Sequence, residues 1–150
     1  MGKWSVQKMI NFKTILRGVE KVLRDNLTGY TITRNEPRNQ DPDTAAKGSG
    51  WIGIYRGKLG YSSYAIGGTP WMVEVETKIE IQCASMASGE DAEDRLQDAE
   101  TEVLTVLNAN KKLNNTVDMT NGYDIEYEYN DLEEVYHHAA IITLKSEARA

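Results

Sequence analysis

The sequence predicts an α+β fold, in which an antiparallel sheet carries two helices packed on one face in the order α-β-β-β-α-β-β. Three observations predict it. Residues 71–84 alternate polar and apolar side chains along one long strand, and residues 88–110 follow as a helix of similar length. The remaining strand-like segments mostly follow one another as hairpins, which favours antiparallel pairing. At 150 residues the chain fits a single domain, 1–150.

The long strand is the clearest element. Period-two alternation of this length is typical of a strand with one buried and one solvated face, and at about 3.3 Å per residue it spans roughly 40 Å. The helix that follows spans roughly 33 Å at 1.5 Å per residue, so it can cover the apolar face. The apolar phase holds Val73, Val75, Thr77, Ile79, Ile81 and Cys83, and the polar phase holds Glu74, Glu76, Lys78, Glu80 and Gln82.

Two helices are predicted from their apolar stripes. The first lies within residues 1–28 after a short leader, and Gly18 in its middle indicates close contact with another backbone. The second begins at Ser88, a favoured N-cap with Asp91 three residues on. We expect its acidic outer face to meet solvent. The second stripe contains Ala92, Leu96, Ala99, Val103, Val106 and Leu107, and the acidic face contains Glu93, Asp94, Asp98, Glu100 and Glu102.

The other strands are shorter, and two long loops separate the early ones. We predict strands over 30–35, 51–56, 123–129 and 135–145. The loops, 35–50 and 57–70, are rich in Gly, Pro, Asn and Asp, which oppose regular structure. Loops of this length in a compact domain are commonly functional. The second loop also contains tyrosines, which are effective contact residues in flexible segments.

Composition excludes several classes of function. The net charge of −6 argues against a phosphate-binding surface, which needs clustered Lys and Arg. No apolar run approaches the roughly 20 residues of a membrane span, and the N-terminus lacks the apolar core of a signal peptide. We therefore expect that the protein assembles in the cytoplasm and does not associate with a membrane. Cys83 is the only cysteine, so no disulfide forms within the chain, and its phase predicts burial.

No catalytic, cofactor-binding or metal-binding residues are assigned, and we do not expect an enzyme. His137 and His138 are adjacent on a strand and point to opposite faces, so they cannot chelate one ion together. The Glu-rich strands suggest a solvated face more readily than paired acid-base catalysis. Tyr123, Tyr127 and Tyr129 share a phase with Ile125, which favours core packing over a stacking platform for single-stranded nucleic acid.

One feature does stand out, the row of carboxylates on one side of the predicted sheet. Glu74, Glu76 and Glu80 share a phase of the long strand. Asp124, Glu126 and Glu128 alternate in the same way on a later strand and extend the row. Such a one-sided acidic face suits the inside of a ring through which DNA slides, since like charges keep DNA from sticking.

The layout resembles a known family. An amphipathic N-terminal helix, a strand, a long loop and a Trp-led strand from Trp71 to Val75 come first. A helix capped at Ser88, with its stripe from Ala92 to Leu107, and two closing strands follow. In order and length this resembles the tail terminator, or tail completion, proteins of long-tailed (siphovirus-type) bacteriophages, the group that includes the minor tail protein U type.

The resemblance implies a structural virion protein of the viral tail. Such a protein would form a homohexameric ring that caps the finished tail tube and stops tube polymerisation. It would then offer a surface for head-tail joining. Its partners would be the tail tube protein and the head-tail connector, with DNA passing through the lumen without specific binding. No cofactor is implied. The lumen candidates are Glu74, Glu76, Glu80, Glu126 and Glu128, and the contact-loop candidates are Arg38, Lys47, Trp51, Tyr61, Tyr64, Ile66 and Trp71.

Other functions remain open at this point. A head-tail connector or neck adaptor shares all of these sequence features and differs in its partner. A tail tube subunit is a further structural alternative. A small metal-dependent hydrolase, using the Glu-rich face to hold a divalent ion, belongs to a different class.

Overall fold

The computed structural model describes residues 10–34, 50–63, 71–132 and 135–149. They form two helices and a five-stranded, mostly antiparallel sheet, which confirms the predicted fold class and element order. The helices are α1 (Phe12–Asn26) and α2 (Gly89–Ala109). The strands are β1 (Tyr30–Thr33), β2 (Gly50–Ser63), β3 (Trp71–Ser85), β4 (Met119–Leu132) and β5 (Val135–Arg149).

The strand order across the sheet is β1-β2-β3-β5-β4. Three neighbouring pairs are antiparallel, but β1 runs parallel to β2, with Tyr30 opposite Gly50. This parallel pair is the one exception to the predicted antiparallel pairing among the described strands. A parallel pair needs a connection of about a dozen residues or more, and the long segment 34–49 between the two strands meets that requirement.

The core lies between the sheet and the two helices. Along β3 the apolar phase is buried throughout, from Val73 at 0% exposure to Cys83 at 1%. Leu96 and Leu107 of α2 and Leu23 of α1 are also fully buried, so both helices cover the same face. None of the helices in the described ranges has the length and apolar character needed to cross a bilayer.

The β2 strand is longer than predicted. Residues 57–63 were expected to be loop but continue the ladder with β3, so only 64–70 separate the two strands. The register shifts between Arg56 and Leu59, which marks a β-bulge. A Cβ on Gly57 would lie 2.7 Å from the carbonyl oxygen of Glu76, so only glycine fits there. The bulge interrupts the alternation of polar and apolar side chains along β2. For this reason residues 57–63 resemble a glycine-rich loop in the sequence.

The predicted start of the second helix is confirmed. Ser88 is the N-cap of α2, and its hydroxyl accepts a hydrogen bond from the backbone N–H of Asp91 at 3.0 Å. Asn11 caps α1 in the same way, through a 3.0 Å bond from the N–H of Lys13. Both caps satisfy a backbone donor that the helix itself leaves unpaired, which fixes where each helix begins.

Candidate functional site

The candidate site is the sheet face turned away from the helices, which we call the distal face. No described helix covers it. Strand register places the polar phases of β3, β4 and β5 together on this face, so charged residues from three strands converge. Among the described side chains, the carboxylates here are Glu74, Glu76, Glu80, Asp124, Glu126, Glu128 and Glu147, and the lysines are Lys58, Lys78 and Lys145.

The five lumen candidates all lie on the distal face, with different exposure. Glu74, Glu126 and Glu128 are exposed, and Glu76 is half-buried. Glu80 is only 7% exposed. Its carboxylate accepts hydrogen bonds from the Tyr55 hydroxyl at 3.0 Å and from the side-chain amide of Gln82. Four of the five are therefore accessible to solvent, whereas Glu80 is tied into the sheet.

A groove of about 380 Å³ lies at one end of the distal face. Charges of both signs line it, including Lys58, Glu74, Glu76 and Lys145. The Lys145 ammonium lies 2.6 Å from a carboxylate oxygen of Asp124, and this hydrogen bond raises the pKa of Lys145. Within the described residues, no group of three or more His, Cys, Asp or Glu side chains is placed to hold a metal ion.

The contact-loop candidates are only partly placed. Arg38, Lys47, Tyr64 and Ile66 lie outside the described residues, and Trp71 begins β3 with its side chain outside them.

The other two candidates, Trp51 and Tyr61, lie in the strand β2 and not in a loop, and their contact with a partner stays a prediction. The indole N–H of Trp51 donates to the Thr33 hydroxyl at 3.0 Å. The Tyr61 hydroxyl accepts from the backbone N–H of Ile10 at 3.0 Å, and its ring packs against the core. Both side chains tie neighbouring elements together inside the subunit.

On the helix side of the sheet, His138 contacts Glu93 and Tyr129, and the sequence did not predict these contacts. His138, 7% exposed, places Nδ1 at 2.7 Å from a carboxylate oxygen of Glu93 on α2. The Tyr129 ring meets the imidazole edge-on, with centroids 4.6 Å apart. His137 falls on the opposite face, as predicted, since it pairs with Ala84 while His138 pairs with Cys83. The alternation of β5 places His138 on the same face as the apolar residues of that strand, and this pattern could have indicated that His138 is buried.

Three acids of α2 bind the sheet, so the expectation that its acidic face simply meets solvent needs correction. Glu93 contacts His138, Glu100 accepts from the Tyr127 hydroxyl at 2.6 Å, and Glu102 accepts from the Tyr30 hydroxyl. The bond to Glu100 raises the pKa of Tyr127 to about 12. These carboxylates flank the buried stripe and join α2 to β1, β4 and β5.

The preference for core packing of the β4 tyrosines holds only for Tyr123, which packs against the core. Tyr127 and Tyr129 are 47% and 56% exposed. Both lie on the edge strand of the sheet. On the edge strand of a sheet, a side chain can point to the helix side and still be exposed. The helices cover the edge strand less completely than the central strands.

Cys83 is a packing residue, as predicted. It is 1% exposed on the helix side of β3. Burial raises the pKa of its thiol to about 11, against a smaller opposing effect of the Arg95 charge. A buried thiol with a raised pKa is typical of a structural cysteine.

Protonating Glu93 should weaken the fold. Burial works against its charge, but hydrogen bonds from Gln97 and His138 outweigh that effect and leave its pKa below the usual 4.5. A carboxyl with a depressed folded-state pKa stabilises the protein above its unfolded pKa, and that stability is lost as the pH falls through the folded value. Urea unfolding of Glu93→Gln and the wild type should therefore differ at neutral pH and converge in acid.

Asp98→Asn is the matched control, because Asp98 is exposed on the same helix and has no ion-pair partner among the described residues. Its effect should not vary over the same pH range. A wild-type advantage over Glu93→Gln that persists unchanged in acid would show that the carboxylate charge contributes nothing through this contact.

Neither a protein-family model nor a curated protein matches the chain.

Proposed function

We propose that this protein is a tail terminator subunit of a long-tailed bacteriophage. In this proposal six copies form a ring on the last ring of the tail tube, with the distal face toward the lumen. The ring ends tube growth and offers its other side to the head connector. The protein works by shape and charge, with no chemical step.

The observation that carries the proposal is the charge balance of the distal face. Seven described carboxylates lie there against three lysines (Glu74, Glu76, Glu80, Asp124, Glu126, Glu128 and Glu147 against Lys58, Lys78 and Lys145). DNA carries one negative charge per roughly 1.7 Å of helix axis, and proteins that grip it neutralise phosphates with Lys and Arg. A wall with an excess of carboxylates does the opposite, which suits a lumen that DNA must traverse without stopping.

Exposure supports the same placement. Glu126 and Glu128 are exposed and have no ion-pair partner within the described residues. Their charge is therefore available to a passing duplex at distances within a Debye length of about 8–10 Å. The lysines are partly engaged, since Lys145 pairs with Asp124 and Lys78 donates to the Thr143 hydroxyl at 2.6 Å.

The layered fold gives such a ring an inside and an outside. The two helices cover one sheet face and bury its apolar phase. The distal face of β3, β4 and β5 carries no described helix, so it can form a lumen wall while the helices lie outward. To cap the tube, one surface of the ring must fit the last ring of tube protein. The opposite surface must not bind another ring of tube protein.

The test is to add the purified protein to polymerising tail tube protein and measure tube lengths by electron microscopy. We expect shorter tubes whose lengths depend on the molar ratio, each ending in an extra ring of density. Serum albumin at the same concentration should leave lengths unchanged. Unregulated tubes without end density would reject the terminator function, and binding to purified heads instead of tubes would favour the connector alternative.

A further inference from the structure

We propose that the ring is closed head to tail by backbone pairing between the free edge of β4 in one copy and the free edge of β2 in the next. The occupant of each edge is thus a second copy of this chain. This inference rests on the proposed ring and names the surfaces that form it.

Both edges offer unpaired backbone. β4 is the last strand of the sheet, and among the described residues its fourteen positions pair with β5 alone. At the other side, β1 covers only Gly50 to Gly53 of β2. From Ile54 to Ser63 no strand among the described residues pairs with β2 on that side. Unpaired edge strands are templates for pairing with another chain.

Exposed apolar side chains concentrate at these two edges. The large hydrophobic residues that the described part of the chain exposes are Leu59, Met86, Met119, Tyr127 and Tyr129. Leu59 lies on β2, and three of the others lie on β4. Tyr127 and Tyr129 are next-but-one neighbours on the helix side of β4, and Leu59 lies on the same side of β2. If the two edges meet, these exposed side chains lie on one side of the joint and can contact each other.

The charges of the two edges are opposite. On the distal face, Glu126 and Glu128 of β4 and Lys58 of β2 are exposed. Arg56 of β2 is also exposed, but it pairs with Thr77 and therefore lies on the helix side. None of the four has an ion-pair partner among the described residues. Like charges on paired strands are destabilising. Two β4 edges would set acid against acid and two β2 edges base against base, so the pattern favours β4 against β2.

Strand direction fits a ring. β2 is antiparallel to β3, β3 to β5 and β5 to β4, so β4 and β2 of one subunit run in opposite directions. When the sheet continues into an identical copy, β4 meets β2 of that copy in the antiparallel sense. Such a heterologous joint is the kind that generates a ring when the rotation between neighbouring copies closes on itself.

Register brings the charges within reach of each other. Asp124 is in line with Lys78 of β3, and the bulge that contains Lys58 lies beside Glu76, two residues before Lys78. Sheets that close on themselves are staggered between neighbouring strands. A stagger of two residues between the copies sets Asp124 beside Lys58, and a stagger of four sets Glu126 there. In both cases the tyrosine phase of β4 lies on the same side of the sheet as Leu59.

The experiment uses two charge-reversed variants of the full chain. Glu126→Lys/Glu128→Lys makes both edges basic, and Arg56→Glu/Lys58→Glu makes both edges acidic. Each alone should need at least about tenfold more protein to form rings, because like charges then meet at every joint. An equimolar mixture should restore rings with alternating subunits, since each joint again has opposite charges. Native mass spectrometry at low ionic strength measures both.

The matched control is Asp94→Lys/Asp98→Lys, which makes the same charge change on exposed positions of α2. It should assemble like the wild type. Thermal unfolding of all variants should agree with the wild type, which separates a lost joint from a lost fold.

The possible outcomes separate this proposal from the ring itself. If Arg56→Glu/Lys58→Glu assembles normally while Glu126→Lys/Glu128→Lys does not, the charges of β2 take no part in the joint and the proposal is wrong. If both variants form rings like the wild type, the ring exists but closes through other surfaces. A wild-type chain that remains monomeric and leaves tubes uncapped rejects the proposed function as well.

Discussion

Replacing Gly18 with alanine should lower the free energy of unfolding by about 3 kcal/mol, as expected for overpacking against a surface that cannot yield. In an ordinary helix interior the same change stabilises by roughly 1 kcal/mol. Here a Cβ would lie 2.4 Å from the carbonyl oxygen of Leu113 and 2.7 Å from Cγ2 of Thr116. The expected sign is therefore reversed by a contact between α1 and the turn that follows α2.

That turn has little freedom to move away. Leu113 is fully buried, and it has a φ of 49°. Asn114 and Asn115 follow with φ values of 59° and 61°, so three consecutive residues occupy the left-handed region. The Thr116 hydroxyl donates to the Leu113 carbonyl at 2.6 Å. Moving the carbonyl would therefore disturb both a buried side chain and a local hydrogen bond.

Urea unfolding of Gly18→Ala measures the effect, with two further variants as controls. Gly60→Ala adds the same methyl group where no heavy atom lies within 4 Å, so it should be near neutral. Gly18→Ala/Thr116→Ala removes the side-chain clash but leaves the carbonyl, so it should recover only part of the loss. A Gly18→Ala protein as stable as the wild type would show that α1 does not pack this closely against the turn.

The sequence predicted best the elements with an unbroken pattern. The alternation of β3 and the apolar stripe of α2 predicted the ends of both elements to within one residue. Burial on one face imposes a strict period, and such a period is visible in the sequence. The close contact at Gly18 was also predicted, since a glycine inside a helix is costly unless it serves packing. Cys83 and the opposite orientations of His137 and His138 followed from strand phase alone.

Long-range pairing could not be predicted from the same patterns. The bulge near Gly57 hides the second half of β2 from any period-two test. The parallel partnership of β1 depends on where the chain returns after residue 34, which no local signal encodes. Tyr127 and Tyr129 have a core phase and are nonetheless exposed, because exposure depends on the order of strands in the sheet.

The candidate site shows the same division. Strand phase alone placed the carboxylates of β3 and β4 on one face, as register confirms. The burial of Glu80 was beyond the sequence, because its partner Tyr55 is brought in by β2 across the sheet. The bond between His138 and Glu93 likewise joins residues 45 positions apart.

Replacing Ile79 with alanine should lower the free energy of unfolding by about 3–4 kcal/mol, the usual cost of truncating a large buried aliphatic side chain. Ile79 is 0% exposed, and it lies at the centre of the sheet with Ile54 opposite on β2 and Ile142 opposite on β5. The cavity would be enclosed by aliphatic side chains on adjacent strands, which limits collapse. Thermal unfolding should show a fall in Tm of roughly 10 °C.

Glu74→Ala on the same strand is the matched comparison. Glu74 is exposed on the distal face, so its loss should change stability by no more than about 0.5 kcal/mol. The contrast tests the division of β3 into a core phase and a free phase. Equal losses for the two variants would mean that the distal face is also packed within the subunit, and a packed face could not line a lumen. A large difference leaves the Glu74 face free for a role outside the subunit, which the lumen proposal requires.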